Sequence, residues 1–225
     1  MSHLSELLKN VETFENLTDG EREDLANLAI RRSLKKNEII CRQEDNWPYV
    51  FYIAFGNLRS IIAAPDGRSY VVSTWKKGEV FWAHTIFDQD PMPSTLEAVD
   101  TTNIYLWEGE KALQIVLRNQ GATRALLRRQ TLLIRKRRES IYNLAFNPVA
   151  NRLAKLIIEK FFDTNGSVVQ RDLTLAEMAE MVATSPEVIC RLLYQFQSAG
   201  TISISRASIT LHDRDALEKL VGGEK

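Results

Sequence analysis

Two helix-start signals lie eleven residues apart near the C-terminal end of this 225-residue chain, at Thr174 and Ser185. That closeness leaves room only for two helices and a tight turn, the spacing of a helix-turn-helix. Thr174 with Glu177 fits the T-x-x-E capping box, in which hydroxyl and carboxylate satisfy orphan backbone donors reciprocally. Ser185 before Pro186 fits an N-cap followed by proline at the first helical position, where its missing N–H costs nothing. Ala179 is small where the first helix approaches the second, and Ile189, Leu192 and Leu193 turn the second helix inward. The other side of its first turns then presents Pro186, Glu187, Cys190, Arg191 and Tyr194. Arginine can bond guanine O6 and N7 bidentately and glutamate can accept from cytosine N4. Glu187 and Arg191 are also an i,i+4 pair, so the carboxylate is placed to orient the guanidinium. The same pair fits a surface salt bridge on an ordinary two-helix corner.

The rest of the chain decides how much weight that motif carries. With 44% apolar and 26% charged residues it has a globular composition. No apolar run approaches the length of a membrane span and no signal pattern opens the chain, so a cytoplasmic protein is expected. Cys41 and Cys190 lie in different halves without a C-x-x-C spacing, which argues against a disulfide framework, a protein-only zinc site or an iron–sulfur cluster. The three histidines, His3, His84 and His212, have no nucleophile–base pairing, phosphate-cradling glycine loop or metal motif beside them, so an enzyme is not expected. The formal charge is zero but unevenly spread: residues 1–110 hold 11 Lys/Arg against 18 Asp/Glu (−7), residues 111–146 hold 9 against 1 (+8), and residues 147–225 hold 9 against 10 (−1). A C-terminal domain of charge −1 is the main objection to nucleic-acid binding, since phosphate neutralisation normally supplies most of the affinity.

Along the chain, Leu4, Leu7, Leu8 and Val11 have helical spacing, and Thr18 with Glu21 starts a second short helix. From about Arg31 to Trp107 short β-rich runs alternate with turn signals, among them Pro65-Asp66-Gly67, which predicts a small antiparallel roll. The segment Gly78 to Ala98 breaks that rhythm, as inserted sites often do. From Glu110 to about Phe146 runs one long helical pattern with Leu113, Leu127, Ile134 and Ile141 on a seven-residue grid and Gln120 at its one polar place. Leu126 and Leu133 form an adjacent stripe that can face the sheet. A helix of roughly 35 residues spans about 50 Å, too long for one small domain to bury, so its free face calls for a second copy. Its arginines, Arg124, Arg128, Arg129, Arg135, Arg137 and Arg138 with Lys136, fit a solvated face, a phosphate-facing patch or partners for the acidic front domain. Asn147-Pro148 ends the helix at a hinge. Ile202/Ile204 and Ile209/Leu211 then alternate about Arg206 as a two-stranded wing whose tip can reach backbone phosphate.

The order of these parts, with Ser185-Pro-Glu-Val-Ile-Cys-Arg-Leu-Leu193 followed by Phe196-Gln-Ser-Ala-Gly200, resembles the Crp/Fnr family of bacterial transcription regulators over nearly the whole chain. The resemblance implies an α+β chain: an N-terminal antiparallel β-roll of the cyclic-nucleotide-binding kind over 1–109, a dimerisation helix over 110–146 and a C-terminal winged helix-turn-helix over 147–225. It implies a homodimer on palindromic double-stranded DNA, with RNA polymerase as a partner if the protein activates, no membrane, and a small effector in the roll. The family's recognition glutamate and arginine fall on Glu187 and Arg191, and Thr184, Ser185, Pro186, Cys190, Tyr194 and Arg206 complete the expected DNA contacts. The expected dimer seam is Leu113, Gln120, Leu127, Ile134 and Ile141. Trp75, Phe81, Trp82, His84, Thr95 and Leu127 are the candidate effector pocket. Ala183 stands where the family's turn usually has glycine.

The sensing half departs from the family's nucleotide cassette. Trp82-Ala83-His84 replaces its Gly-Glu-Leu run, and Pro91-Met92-Pro93-Ser94-Thr95 spans its Arg-Ser pair, so no cation of that cassette remains to meet a buried phosphate. Cyclic AMP is therefore not the expected ligand and the cofactor is open. Phe81-Trp82-Ala83-His84 also resembles the histidine-bearing segment of the family's carbon-monoxide-sensing haem regulators, which gives an alternative in which His84 ligates haem. A further alternative is a ligand-binding module whose winged domain docks protein rather than DNA.

Overall fold

The computed structural model describes residues 2–161, 168–205 and 207–222. They divide into two compact units, one of residues up to 62 with 72–137 and one of residues 63–71 with those from 138 onward.

In the first unit, α1 (His3–Leu8) and α2 (Asp19–Asn27) lead into eight strands. The Thr18 hydroxyl accepts from the Glu21 N–H at 3.2 Å while the Glu21 carboxylate accepts from the Thr18 N–H at 2.7 Å, closing the capping box read from the sequence. The strands are β1 (Ile30–Leu34), β2 (Ile39–Cys41), β3 (Tyr49–Phe55), β4 (Asn57–Ala63), β5 (Ser69–Lys76), β6 (Val80–Trp82), β7 (Thr95–Ala98) and β8 (Thr102–Glu108). They form two four-stranded sheets, β1-β8-β3-β6 and β2-β7-β4-β5. The segment expected to interrupt the strands instead supplies β6 and β7, joined through one helical turn, α3 (Thr85–Asp88).

Strand β3 shows why so apolar a run forms here. Successive side chains point to opposite faces, so Val50 and Tyr52 join a core under the N-terminal helices while Phe51 and Ile53 join a second core with residues of the other sheet. Trp107 on β8 is fully buried and donates its indole N–H to the Leu25 carbonyl at 2.7 Å, tying α2 to the roll. Gly56, at φ +84°, turns β3 into β4, where an added Cβ would sit 2.4 Å from Thr102 Oγ1.

The single helix expected from Glu110 is two: α4 (Gly109–Arg118) and α5 (Gln120–Phe146). Asn119 between them is extended (φ −109°, ψ 112°), and its Oδ1 accepts from the Ala122 N–H at 3.1 Å, so it acts as the N-cap of α5. Leu113 therefore leaves the seven-residue grid and packs on the first core, and Gln120 is the exposed first residue of α5.

The second unit contains α6 (Val149–Phe161), β9 (Val168–Gln170), α7 (Leu175–Val182), α8 (Pro186–Ser198), β10 (Ile202–Ile204), β11 (Ser208–Leu211) and α9 (Arg214–Gly222). The wing expected as two strands is a three-stranded sheet, β10-β11-β9. Too little sequence separates Asp163-Thr-Asn-Gly166 from the helix-turn-helix for β9 to stand out by alternation. Leu153, Ile157, Met178, Ile189, Leu193 and Phe196 fill its core.

Ala183, which ends α7, adopts the left-handed conformation with φ 54° and ψ 63°. An L-residue pays about 1–2 kcal/mol there and glycine's greater chain entropy returns part of that. Ala183→Gly is expected to stabilise the second unit by about 0.5–1 kcal/mol, and Gly56→Ala to destabilise the first by at least about 1–2 kcal/mol. Thermal melts of the two variants should shift in opposite directions.

Candidate nucleic-acid interface and effector cleft

Residues 174–198 form the helix-turn-helix. The Glu177 carboxylate accepts from the Thr174 N–H at 2.7 Å, and the Thr174 hydroxyl accepts from the Glu177 N–H at 3.1 Å. Ala179 and Ile189 are buried between α7 and α8. Arg152 of α6 also steadies the turn: its Nε donates to the Val182 carbonyl at 3.0 Å and its Nη1 to the Asn147 carbonyl at 2.6 Å. Only the spacing of Arg152 from Leu153 and Leu156 on α6 could have signalled this role.

On α8, Pro186, Glu187, Arg191 and Tyr194 are exposed, while Thr184, Ser185 and Cys190 are half-buried. Ser185 is the N-cap by backbone geometry and Pro186 follows it at N1, but the Ser185 side chain makes no capping bond. It bonds the Glu187 carboxylate, which together with the residue's own N–H holds that carboxyl below the usual carboxylate range. Glu187 is thus an ionised acceptor at neutral pH. The expected pairing of Glu187 with Arg191 is not made: no ion pair joins them among the described residues, because Glu187 is satisfied at the helix start, and Arg191 extends into solvent. Arg206 lies outside the described residues. A cleft of about 390 Å³ beside α8 is lined by Arg171, Cys190, Tyr194, Gln197 and Ser205 among others. Arg171, which precedes the helix start, adds a cation to this surface that the sequence reading missed.

In the first unit a cleft of about 270 Å³ is lined by Trp75, Val80, Phe81, Trp82 and His84 from the roll and by Arg129, Gln130, Leu133, Ile134 and Arg137 from α5. The candidates Trp75, Phe81, Trp82 and His84 therefore come together. Thr95 and Leu127 do not join them: the Thr95 hydroxyl accepts from the Gln43 N–H at 3.0 Å, and Leu127 is 63% exposed on another face of α5. His84 keeps an exposed surface, yet partial desolvation of its ring at the cleft lowers its pKa; Asp88 opposes that, and Arg137 adds to it. The space between the sheets is filled: Met92 is fully buried there beside Trp75, Phe81 and Leu96, and the buried Ser94 hydroxyl bonds Ser60 at 2.6 Å. Cys41 lies in the same core, where burial pushes its thiol up to about 12, so it stays protonated.

Along α5, Leu126 is buried in the first core, and Leu127, Ile134 and Ile141 are 63%, 69% and 65% exposed. Arg128 and Arg129 reach Glu12 and Glu79 of the acidic front at 3.5 and 3.7 Å. No helix of the described residues is long and apolar enough to cross a membrane.

A cyclic nucleotide-binding domain model matches residues 31–119 and a Crp-like helix-turn-helix domain model matches residues 150–220. The chain is 23% identical over 175 residues to the CRP-like cAMP-activated global transcriptional regulator of Mycobacterium tuberculosis, covering 76% of this chain and 78% of that one. It is 23% identical over 215 residues to the anaerobic regulatory protein of Haemophilus influenzae, covering 93% and 83%. In fold it is similar to a crystal structure described as a Crp/Fnr-family transcriptional regulator from Eubacterium rectale, with TM-score 0.84 and 19% identity over 96% of this chain and 100% of that one. These relatives are transcription regulators and not enzymes. With the roll and the Crp-like helix-turn-helix matched in that order, the chain belongs to the Crp/Fnr family of DNA-binding transcription regulators.

Proposed function

We propose that the protein is a homodimeric, sequence-specific regulator that reads a palindromic site through Arg191 and Glu187 and is switched by a small effector, other than cyclic AMP, bound in the cleft between the roll and α5. The observation that carries this reading is the exposure of an arginine and an ionised carboxylate on the first turns of α8, above a helix pair whose apolar side is buried. A recognition helix enters the major groove with its N-terminal residues against the base edges. On that geometry Thr184, Ser185, Cys190, Tyr194 and, from the wing, Arg206 flank the two reading residues, while Pro186 has no side-chain donor and reads the outer base weakly. Such a protein works in the cytoplasm, with RNA polymerase as its partner where it activates.

The second copy is proposed from α5. Leu127, Ile134 and Ile141 recur every seven residues on one exposed side of a 27-residue helix. Covering such a face removes apolar area from water at about 25 cal/mol per Å². Leu113 is not part of that seam because it packs within its own chain.

A ligand other than cyclic AMP is supported by the fate of the cassette positions. Met92 is a core residue and the hydroxyls of Ser94 and Thr95 accept hydrogen bonds within the roll, so none of the three supplies the cation that a buried phosphate needs. Haem fits the cleft poorly. A cleft of about 270 Å³ is small for a four-ring macrocycle, and His84 is the one described residue of its lining with a side chain suited to ligate the iron. Allostery then requires only that the effector favour the DNA-competent arrangement by a few kcal/mol, with Asn147-Pro148 as the hinge.

Three outcomes follow. In fluorescence anisotropy with an operator selected from random sequence, Arg191→Ala should weaken binding by about 1–3 kcal/mol and relax preference at one base pair per half-site; equal binding of both proteins to operator and scrambled duplex would remove the assignment. Wild-type affinity should fall as salt rises, with a slope set by the few phosphates that each copy neutralises, whereas a winged domain that docks protein shows no such slope on DNA. In sedimentation velocity, Leu127→Glu/Ile141→Glu should leave folding intact, since both side chains are exposed, and convert dimer to monomer; a wild type that stays monomeric at all concentrations would end the dimer reading.

A further inference from the structure

The cleft is lined by two guanidinium groups that come from α5 rather than from the roll. Arg129, Leu133 and Arg137 recur every four residues and so share one face of the helix. Arg129 donates to the Val80 carbonyl at 3.3 Å and lies 3.7 Å from a Glu79 carboxylate, and Arg137 donates to the Val72 carbonyl. Opposite them stand Trp75 and Phe81, whose rings meet edge to face at 5.0 Å. The lining residues therefore include two cations and no carboxylate; Glu79 and Asp88 lie outside the lining.

Guanidinium groups bind carboxylates through paired, charge-assisted hydrogen bonds, and aromatic walls hold flat apolar bodies. A cleft of about 270 Å³ suits a molecule of one or two rings. We infer that the effector is a small planar organic anion, its ring system against Trp75, Phe81 and Leu133 and its oxyanion met by Arg129 and Arg137. This rests on the reading of the cleft as the effector site. It places the ligand's charge on the same helix that bears the exposed seam, since Ile134 lines the cleft and belongs to that seam.

Isothermal titration calorimetry of the full chain with 2-naphthoate, 2-naphthamide and inorganic phosphate tests the inference. Naphthoate should bind at least about tenfold more tightly than the isosteric amide, with phosphate weaker than both. Arg129→Gln and Arg137→Gln should each reduce naphthoate affinity towards that of the amide and leave amide affinity unchanged, and Arg137→Lys should retain part of the preference. Equal affinity for naphthoate and naphthamide would overturn the anion assignment and leave the effector cleft standing. Phosphate binding as tight as naphthoate would overturn it as well, revealing a bare anion site. A naphthoate preference undiminished in both glutamine variants would reject the two arginines, and no binding of either naphthalene would remove the effector cleft along with the inference. If Arg137→Gln does not fold, as a melting curve would show, Arg129→Gln and Arg137→Lys carry the comparison.

Discussion

The structure turns on a geometric mismatch: α5 has 27 residues and spans about 40 Å, more than the core beneath its first turns can cover. Ala122, Ala125 and Leu126 are buried, and a buried leucine contributes about 1.5–3 kcal/mol. Arg129, Leu133 and Arg137 line the cleft, and Leu127, Ile134 and Ile141 face solvent. These sets occupy adjoining sides of one hydrogen-bonded rod, with Ile134 common to the cleft and the exposed seam, so a rotation or shift that improves contact on one side necessarily moves the others. The proposed coupling between effector and partner copy needs no further machinery than that rigidity.

On the proposed reading, a nucleotide-type scaffold keeps its fold while its usual ligand is replaced. Residues of the 91–95 segment are turned into structure, with Met92 in the core and Ser94 and Thr95 bonded to Ser60 and the Gln43 N–H. Nearby, Arg59 of β4 and Glu97 of β7 pair at 3.0 Å with little exposure, a cross-strand bridge that links the strands around this segment. Apolar packing and internal hydrogen bonds hold this segment. What opening remains is displaced to the rim against α5, where the lining is aromatic and cationic.

Much of this was legible in the residues, because the strongest signals were local. Both T-x-x-E boxes close as read, and Leu126 and Leu133 face the roll. The failures share a cause: each depended on a competition that periodicity cannot see. The seven-residue grid runs through Gln120, but Asn119 caps α5 there and also donates to the Asn16 carbonyl at 2.9 Å, so two helices replace one. Glu187 had two candidate partners, and the one at the helix start won. The arginines of α5 were read by charge alone. Counting four residues either side of Leu133 would have put Arg129 and Arg137 on the sheet-facing stripe and found the cleft's cations. Thr95 and Leu127 were placed in the pocket alongside the family resemblance, where side-chain direction decides.

The charge distribution bears on how such a protein would hold DNA. Residues 147–225 carry 9 Lys/Arg against 10 Asp/Glu, and in the basic middle stretch Arg128 and Arg129 already face Glu12 and Glu79. Few phosphates can then be neutralised by one copy, and the non-specific part of binding, which scales with that number, is correspondingly small. A monomer would have to rely on a handful of base contacts, worth about 1–3 kcal/mol each. Two linked copies change the arithmetic, because once one half-site is engaged the other meets its partner at a high effective concentration. On the proposed reading, a nearly neutral reading head therefore suits a switch: it discriminates sequence well, holds poorly alone, and leaves the arrangement of two copies, which the effector biases, to set occupancy.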